Sequence, residues 1–342
     1  MALTATQLLV LRQKAENVWV NSALANSQMP NTETAKAILE NQTATFRVLE
    51  NREKDLKVAV TFLNSCGIAT EACDDNCDIS GDPLSSGIKE MTPDICQKAD
   101  FTISENSVRG NDYGMEEMFQ QGMTNAVNQL DAFWSVQALA KLKTFAGVNA
   151  FPEPFTYDNV NKTTNVPSAD YNVELVAHLI NQAQMNQMAD SYFVDNGSLW
   201  LQFFMAEMNA GNLDGKGQAN LINQVKMYFD RFNFTKAGLT EDTFAIGKGA
   251  VAMKTINKYS DTPRTLTANG QTRYTIKSKN LPNVIYDAIY QEKCINDDIV
   301  HSWRFITNGG IWLNPEGCPI TIDVEGVPTE VSQTGVLSYS KQ

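Results

Sequence analysis

The chain has 342 residues, 43% of them hydrophobic and 19% charged, which sets one large domain or two modest ones with a real core and excludes disorder as an overall description. Its net charge of −12 argues against a protein whose main task is gripping phosphates, because that affinity comes from clustered Lys and Arg. The basic residues read as scattered, and their densest group (Arg47, Arg52, Lys54, Lys57) is interleaved with Glu50, Glu53 and Asp55. No window approaches the roughly 20 apolar residues of a membrane span. The first dozen residues lack the basic start and apolar centre of a secretory signal, so a cytoplasmic origin is expected.

Leu8 to Val20 reads as a short helix, followed by a polar, small-residue hinge over Asn21 to Asn31. A second helix is expected from about Thr32 to Asp55, with Ile38, Leu39, Phe46 and Leu49 near helical spacing. Leu56 to Leu63 alternates as a strand does. Cys66 to Thr92 is rich in Gly, Asp, Ser and Pro, and Asp100 to Ser104 reads as the returning strand of a long hairpin. An excursion of that length usually carries function or reaches a partner.

One long helix is expected from about Gly114 to Phe145, with Asp112 as N-cap and Glu116 and Glu117 at the positive end of its dipole. Its apolar ladder runs Met115, Met118, Phe119, Met123, Val127, Leu130, Phe133, Trp134, Leu142 and Phe145. About thirty residues make a rod of roughly 45–50 Å, and Gly147, Pro152 and Pro154 stop it. A Met- and aromatic-rich stripe of this kind reads as core packing rather than a cofactor groove.

Further helices are expected over Asp170 to Asp190 and Gln218 to Asp230, with a buried strand or short helix at Leu199 to Met205. From Phe244 the texture turns to strands: 244–253, 273–277, 284–289, 300–307 and 311–313, with Gly309-Gly310 as a hairpin turn. Asp261 to Gly270 reads as a loop, and the runs 320–324 and 336–339 as paired edge strands. The overall class is α+β.

Chemistry is sparse. The two histidines, His178 and His301, read as structural or surface residues, and no G-x-S-x-G, H-E-x-x-H or Walker A pattern is present. Lys248 lies between glycines without phosphate-loop spacing. Asp74, Asn76 and Asp78 match the first oxygen ligands of a calcium loop, but Ile79 and Ser85 stand where Gly and Glu are required. Cys66, Cys73, Cys77 and Cys96 contain no C-x-x-C; plain thiols, a disulfide or cross-link, and a metal all stay open. No catalytic, cofactor-binding or metal residue is assigned, and an enzyme is not expected.

The order of elements, with Phe101-Thr-Ile-Ser-Glu-Asn-Ser-Val-Arg-Gly-Asn-Asp112 running into the long helix and Ile306-Thr-Asn-Gly-Gly-Ile-Trp-Leu-Asn314 near the end, resembles a tailed-phage major capsid protein of the Hong Kong 97 type. The resemblance covers nearly the whole chain and rests on architecture. It implies an N-terminal arm (1–55), an extended loop (56–112), a spine helix and peripheral domain (113–164), a central axial domain (165–243), and strands returning to the peripheral domain with the tail (244–342). It also implies hexamers and pentamers of an icosahedral head around double-stranded DNA, with portal and other capsid proteins as partners, no membrane and no sequence-specific DNA contact. Lys89 and Lys98 lie in the loop region, but no partner Asn is identified, so no cross-link is carried over. A separate scaffold, or none, is expected. The competing readings are another structural virion protein (tail tube or capsid decoration) and an enzyme built on the Cys66–Cys96 cluster with a metal.

Overall fold

The computed structural model describes residues 3–21, 30–42, 46–50, 58–63, 86–110, 114–188, 190–202, 220–221, 225–266, 270–314, 319–324, 327–332 and 334–342. The chain divides into two compact units. Unit 1 comprises Met1–Thr32, Pro93–Ser135 and Lys254–Gly310; unit 2 comprises Glu33–Thr92, Val136–Met253 and Ile311–Gln342.

In unit 1 a twisted sheet packs on a helix. The helices are α1 (Ala5–Asn21), α3 (Glu105–Arg109) and the first two-thirds of α4 (Met115–Phe145). The sheet is formed by β4 (Ile95–Ser104), β12 (Arg264–Leu266), β13 (Gln271–Lys277), β14 (Ile285–Ile295) and β15 (Asp298–Leu313), joined by β11 (Val251–Thr255). Its order is β11-β15-β14-β13-β12, with β4 also on β15. Alternation along β13 and β15 sends Tyr274, Ile276, Trp303 and Phe305 inward, each at most 1% exposed. The stripe of α4 that packs here holds Phe119, Met123, Val127, Leu130 and Trp134, all buried.

In unit 2 a seven-stranded sheet is covered on both faces. Its order is β5-β6-β18-β10-β7-β9-β8, from Thr156–Asp158 (β5), Thr163–Val166 (β6), Tyr192–Asp195 (β7), Asn220–Leu221 (β8), Val225–Phe229 (β9), Thr243–Ile246 (β10) and Val336–Lys341 (β18). Burial of all four residues in both β7 and β10 is the mark of strands with no solvent side. Helix α5 (Val173–Met185) buries Leu175, Val176, Leu179 and Ala183 in one core with Phe193, Ala245, Leu337 and Tyr339. Helix α2 (Glu33–Asn41) packs against β7 and β9, and a short helix α6 spans Arg231–Ala237. Unit 2 also contains the three-stranded sheet β1 (Phe46–Glu50), β2 (Val58–Leu63) and β3 (Ser86–Met91), and the hairpin β16 (Pro319–Val324) with β17 (Val327–Ser332).

The long helix ends where the ladder places it. Gly114 N donates to the side chain of Glu117, one half of a capping box, while Asp112 lies outside the described residues. Several expectations are corrected. The second helix stops at Asn41, and Phe46–Glu50 is a strand paired with β2; Phe46 and Val48 favour a pleated surface, and β2 supplies the partner edge. Strand β2 returns through β3, and β4 pairs with β15 instead, because Phe101 finds its ring partners on β15 and α4. Gln218–Asp230 contains β8 and β9, the latter parallel to β7, so sheet pairing overrides a weak helical period. Asp261–Gly270 contains the short strand β12, and 244–253 is split into β10 and β11. The expected pairing of 320–324 with 336–339 is replaced by β16 with β17, leaving β18 central between β10 and β6.

Gly309-Gly310 is not a turn; β15 runs straight through it. A Cβ on Gly309 would lie 2.2 Å from Lys254 O, so glycine serves a close backbone approach. Gly122 on α4 plays the same part: a Cβ there would lie 2.6 Å from the Phe101 ring. Gly309→Ala is therefore expected to cost about 1–3 kcal/mol, read as a lower denaturation midpoint at unchanged slope.

Candidate functional site

The perturbed carboxylates and the cavities are where chemistry would be sought. In unit 1 the inner sheet face and α4 meet through aromatic rings. Phe101 stacks on Trp303 at 5.1 Å, Phe119 meets Trp303 at 5.1 Å, and Trp134 Nε1 donates to Thr307 Oγ1 at 2.8 Å. Among these apolar groups lies Asp131 of α4, fully buried. Its carboxylate accepts from the Tyr286 hydroxyl, from Ser278 Oγ at 2.9 Å and from Asn280 Nδ2 at 2.7 Å. Burial pushes the Asp131 carboxyl up to about 6, and the three hydrogen bonds offset only part of that rise.

His301 is buried beneath α3. Its Nδ1 lies 2.8 Å from the Tyr290 hydroxyl and its Nε2 3.4 Å from Glu105, while Leu3 N donates to the same hydroxyl at 3.2 Å. Arg12 of α1 donates to the carbonyls of Asp261 (2.8 Å) and Thr275 (3.0 Å) and pairs with the Asp261 carboxylate at 3.1 Å. These contacts tie the N-terminal helix to unit 1.

In unit 2 the fully buried Asp195 caps the helical turn that begins at Ser198. It accepts from Gly197 N (2.7 Å), Leu199 N (3.1 Å) and Trp200 N (3.0 Å), and from Thr243 Oγ1 at 2.6 Å. Burial raises it to about 6 as well. Asp230 plays the corresponding part for α2, accepting from Thr34 Oγ1 at 2.6 Å and Thr34 N at 3.2 Å. A cavity of about 390 Å³ opens beside Asn196, Arg231 and Asp242. Its buried Glu241 is held by Lys143 at 3.0 Å.

Each of these carboxylates is surrounded by donors that anchor a helix or a strand. The Ser and Thr hydroxyls among those donors, of Ser278, Thr243 and Thr34, each donate directly to the carboxylate, and the arrangement is one of latches. Among the described residues no group of three or more His, Cys, Asp or Glu is placed to hold a metal. Cys66, Cys73 and Cys77 and the Asp74–Asp78 acidic run lie outside the described residues. Cys96 is exposed on β4, away from any such group. His178 is exposed on α5 with its ring edge on Phe155, and Lys248 reaches Asp190 at 3.8 Å. The residue that sequence reading passed over is Asp131. Its signal was present, an acid four residues after Val127 and three before Trp134 on the apolar stripe of the long helix.

No protein-family model matches the chain, and no curated protein sequence matches it. Solved structures do. The cyanophage A-1(L) capsid is 9% identical with a TM-score of 0.52, over 86% of this chain and 92% of that one. The capsid of Ralstonia phage GP4 is 10% identical with a TM-score of 0.50, over 93% and 92%. The class is thereby set: an α+β phage-capsid fold. In particular it is the Hong Kong 97 type of that fold, with the long helix, Met115–Phe145, that the sequence announces.

Asp131 gives a test of the latch. A carboxyl raised in the folded state binds its proton there at a pH where the unfolded chain has released it. Stability therefore rises as pH falls through about 6 toward the ordinary carboxylate range, and is lost again as pH climbs back through it. Relative to Asp131→Asn, the wild type should gain on the order of 3 kcal/mol between about pH 7 and pH 4. Urea midpoints at the two pH values measure it, and the shared contribution of Asp195 cancels in the difference.

Proposed function

We propose that this protein is the major capsid protein of a tailed bacteriophage, assembling with copies of itself into the hexamers and pentamers of an icosahedral head. The observation that carries the reading is a likeness to phage capsid structures along nearly the whole chain, with a 31-residue helix packed on a long sheet. Shell subunits need contacts that repeat and close rather than a pocket, and the buried carboxylates act as internal latches. A tail-tube subunit, built mainly of β sheet, fits such a helix poorly.

Within this reading residues 1–55 act as the arm, 56–112 as the extended loop carrying β2 and β3, 113–164 as spine and peripheral domain, 165–243 as the axial domain, and 244–342 as the returning strands and tail. The head encloses double-stranded DNA without reading its sequence, is built in the host cytoplasm, and takes in a portal and other capsid proteins. Purified full-length protein should form closed shells or ring-shaped capsomers by electron microscopy. Monomers under every assembly condition, with and without a co-expressed scaffold, would sink the proposal.

A further inference from the structure

The strand register of unit 1 collects charge that the sequence disperses. Across the sheet Arg264 stands opposite Arg273, Arg273 opposite Ile289, Ile289 opposite Arg304, and Arg304 opposite Asp100. Directly opposed residues share a face, and this is the face turned away from Trp303, Phe305 and α4. Lys277 lies on it opposite Ile285, Lys293 opposite Val300, and Lys98 opposite Ile306. One sheet face thus carries Lys98, Arg264, Arg273, Lys277, Lys293 and Arg304.

The acids on that face are already engaged. Asp100 takes a two-pronged contact from Arg304 at 2.8 and 2.9 Å. Asp287 accepts from the backbone of Lys258 and Tyr259 at 2.9 to 3.1 Å, and Asp298 from Asn106 N at 3.2 Å. Arg273 is drawn over the Tyr259 ring at 5.1 Å. Lys98 is 61% exposed and lies 3.9 Å from the Asp100 carboxylate, Lys277 and Lys293 are exposed, and a shallow groove of about 450 Å³ crosses β4, β15 and β14 beside Thr102, Ser302 and Arg304. Holding Arg264 opposite Arg273 is unfavourable in the isolated subunit, and an acidic partner would relieve that cost.

We infer that this basic sheet face is an assembly surface that docks an acidic surface of a second copy of the same chain. The inference rests on the shell reading above and adds to it the surface and the force involved. Two observations favour another copy over nucleic acid. Ile285, Ile289 and Ile306 lie half-buried among the cations, giving an apolar centre with a charged rim, which is protein–protein anatomy. The chain as a whole carries −12, so a second copy supplies acid beyond that of Asp100, Asp287 and Asp298, whereas duplex DNA would meet a repelling subunit. Thr275 and Asp287, in the middle of the face, are buried under the chain's own 258–261 segment, which leaves the exposed cations around them for a partner.

The test is full-length Lys98→Glu/Lys277→Glu/Lys293→Glu beside the wild type, with the triple Lys→Gln variant as a neutral control. Sedimentation velocity reads self-association, electron microscopy reads shells, and circular dichroism with thermal melting checks the fold. At least a tenfold loss of self-association is expected in the Glu variant, with a smaller loss for Gln and an unchanged melt. Wild-type association should weaken as salt rises toward about 0.5 M. Shells from the Glu variant at wild-type yield and salt response would overturn this surface and leave the shell reading intact. Association without shells in the wild type, lost in the variant, would sink the shell reading and keep the surface; a wild type that stays monomeric sinks both. Tight binding of a 30-base-pair duplex, abolished in the variant while self-association persists, would reassign the face to nucleic acid.

Discussion

The structure of unit 1 depends on one packed seam, the apolar stripe of α4 against the inner face of the β4–β15–β14–β13 sheet. Trp303 is its centre, touching Phe101, Phe119 and Tyr290 at 5.1 to 5.2 Å between ring centres. Truncating a ring of this kind typically costs about 3–5 kcal/mol, so few other single contacts here weigh as much. The seam accounts for the two glycines: Gly122 lets the Phe101 ring come close to the helix, and Gly309 lets β15 approach Lys254. It also explains why β4 leaves the hairpin that its sequence neighbours form and pairs with a strand two hundred residues later.

Asp131 is the expensive member of the same seam. A buried carboxylate without a cation lowers stability at neutral pH, yet its three donors come from β14 and from the 278–280 turn. That geometry fixes the helix's position along the sheet, which a purely apolar stripe specifies loosely. Asp195 and Asp230 repeat the device in unit 2, each setting where a helix begins. The fold is thus located by buried acids and stabilised by rings and aliphatic side chains.

The long helix was legible because ten apolar residues keep one period over thirty positions, and no competing pattern of that length exists in the chain. The strands from Phe244 onward were legible from alternation. What failed was pairing. Nothing local distinguishes the 218–230 segment as strand, since its state comes from the open side of β7. Nor does anything local show that Gly309-Gly310 is a point of close approach rather than a turn. The basic face was unreadable for the same reason: Arg264, Arg273 and Arg304 are far apart in sequence and become neighbours only through register, so a scan for charge runs sees scatter. Of the buried latches, only Asp131 left a trace, as an acid on an apolar stripe.

The central place of β18 bears on when unit 2 can close. In the seven-stranded sheet it bridges β6 on one side and β10 on the other, yet it leaves the ribosome after every other strand of that sheet. Until then β5–β6 and β10–β7–β9–β8 are two fragments with an apolar gap where Leu337 and Tyr339 will lie, both fully buried in the finished core. Unit 2 is therefore completed only once 336–341 has been made, and chains cut short before it never acquire that core. Of the seven strands of that sheet, the last to be made decides whether its core closes.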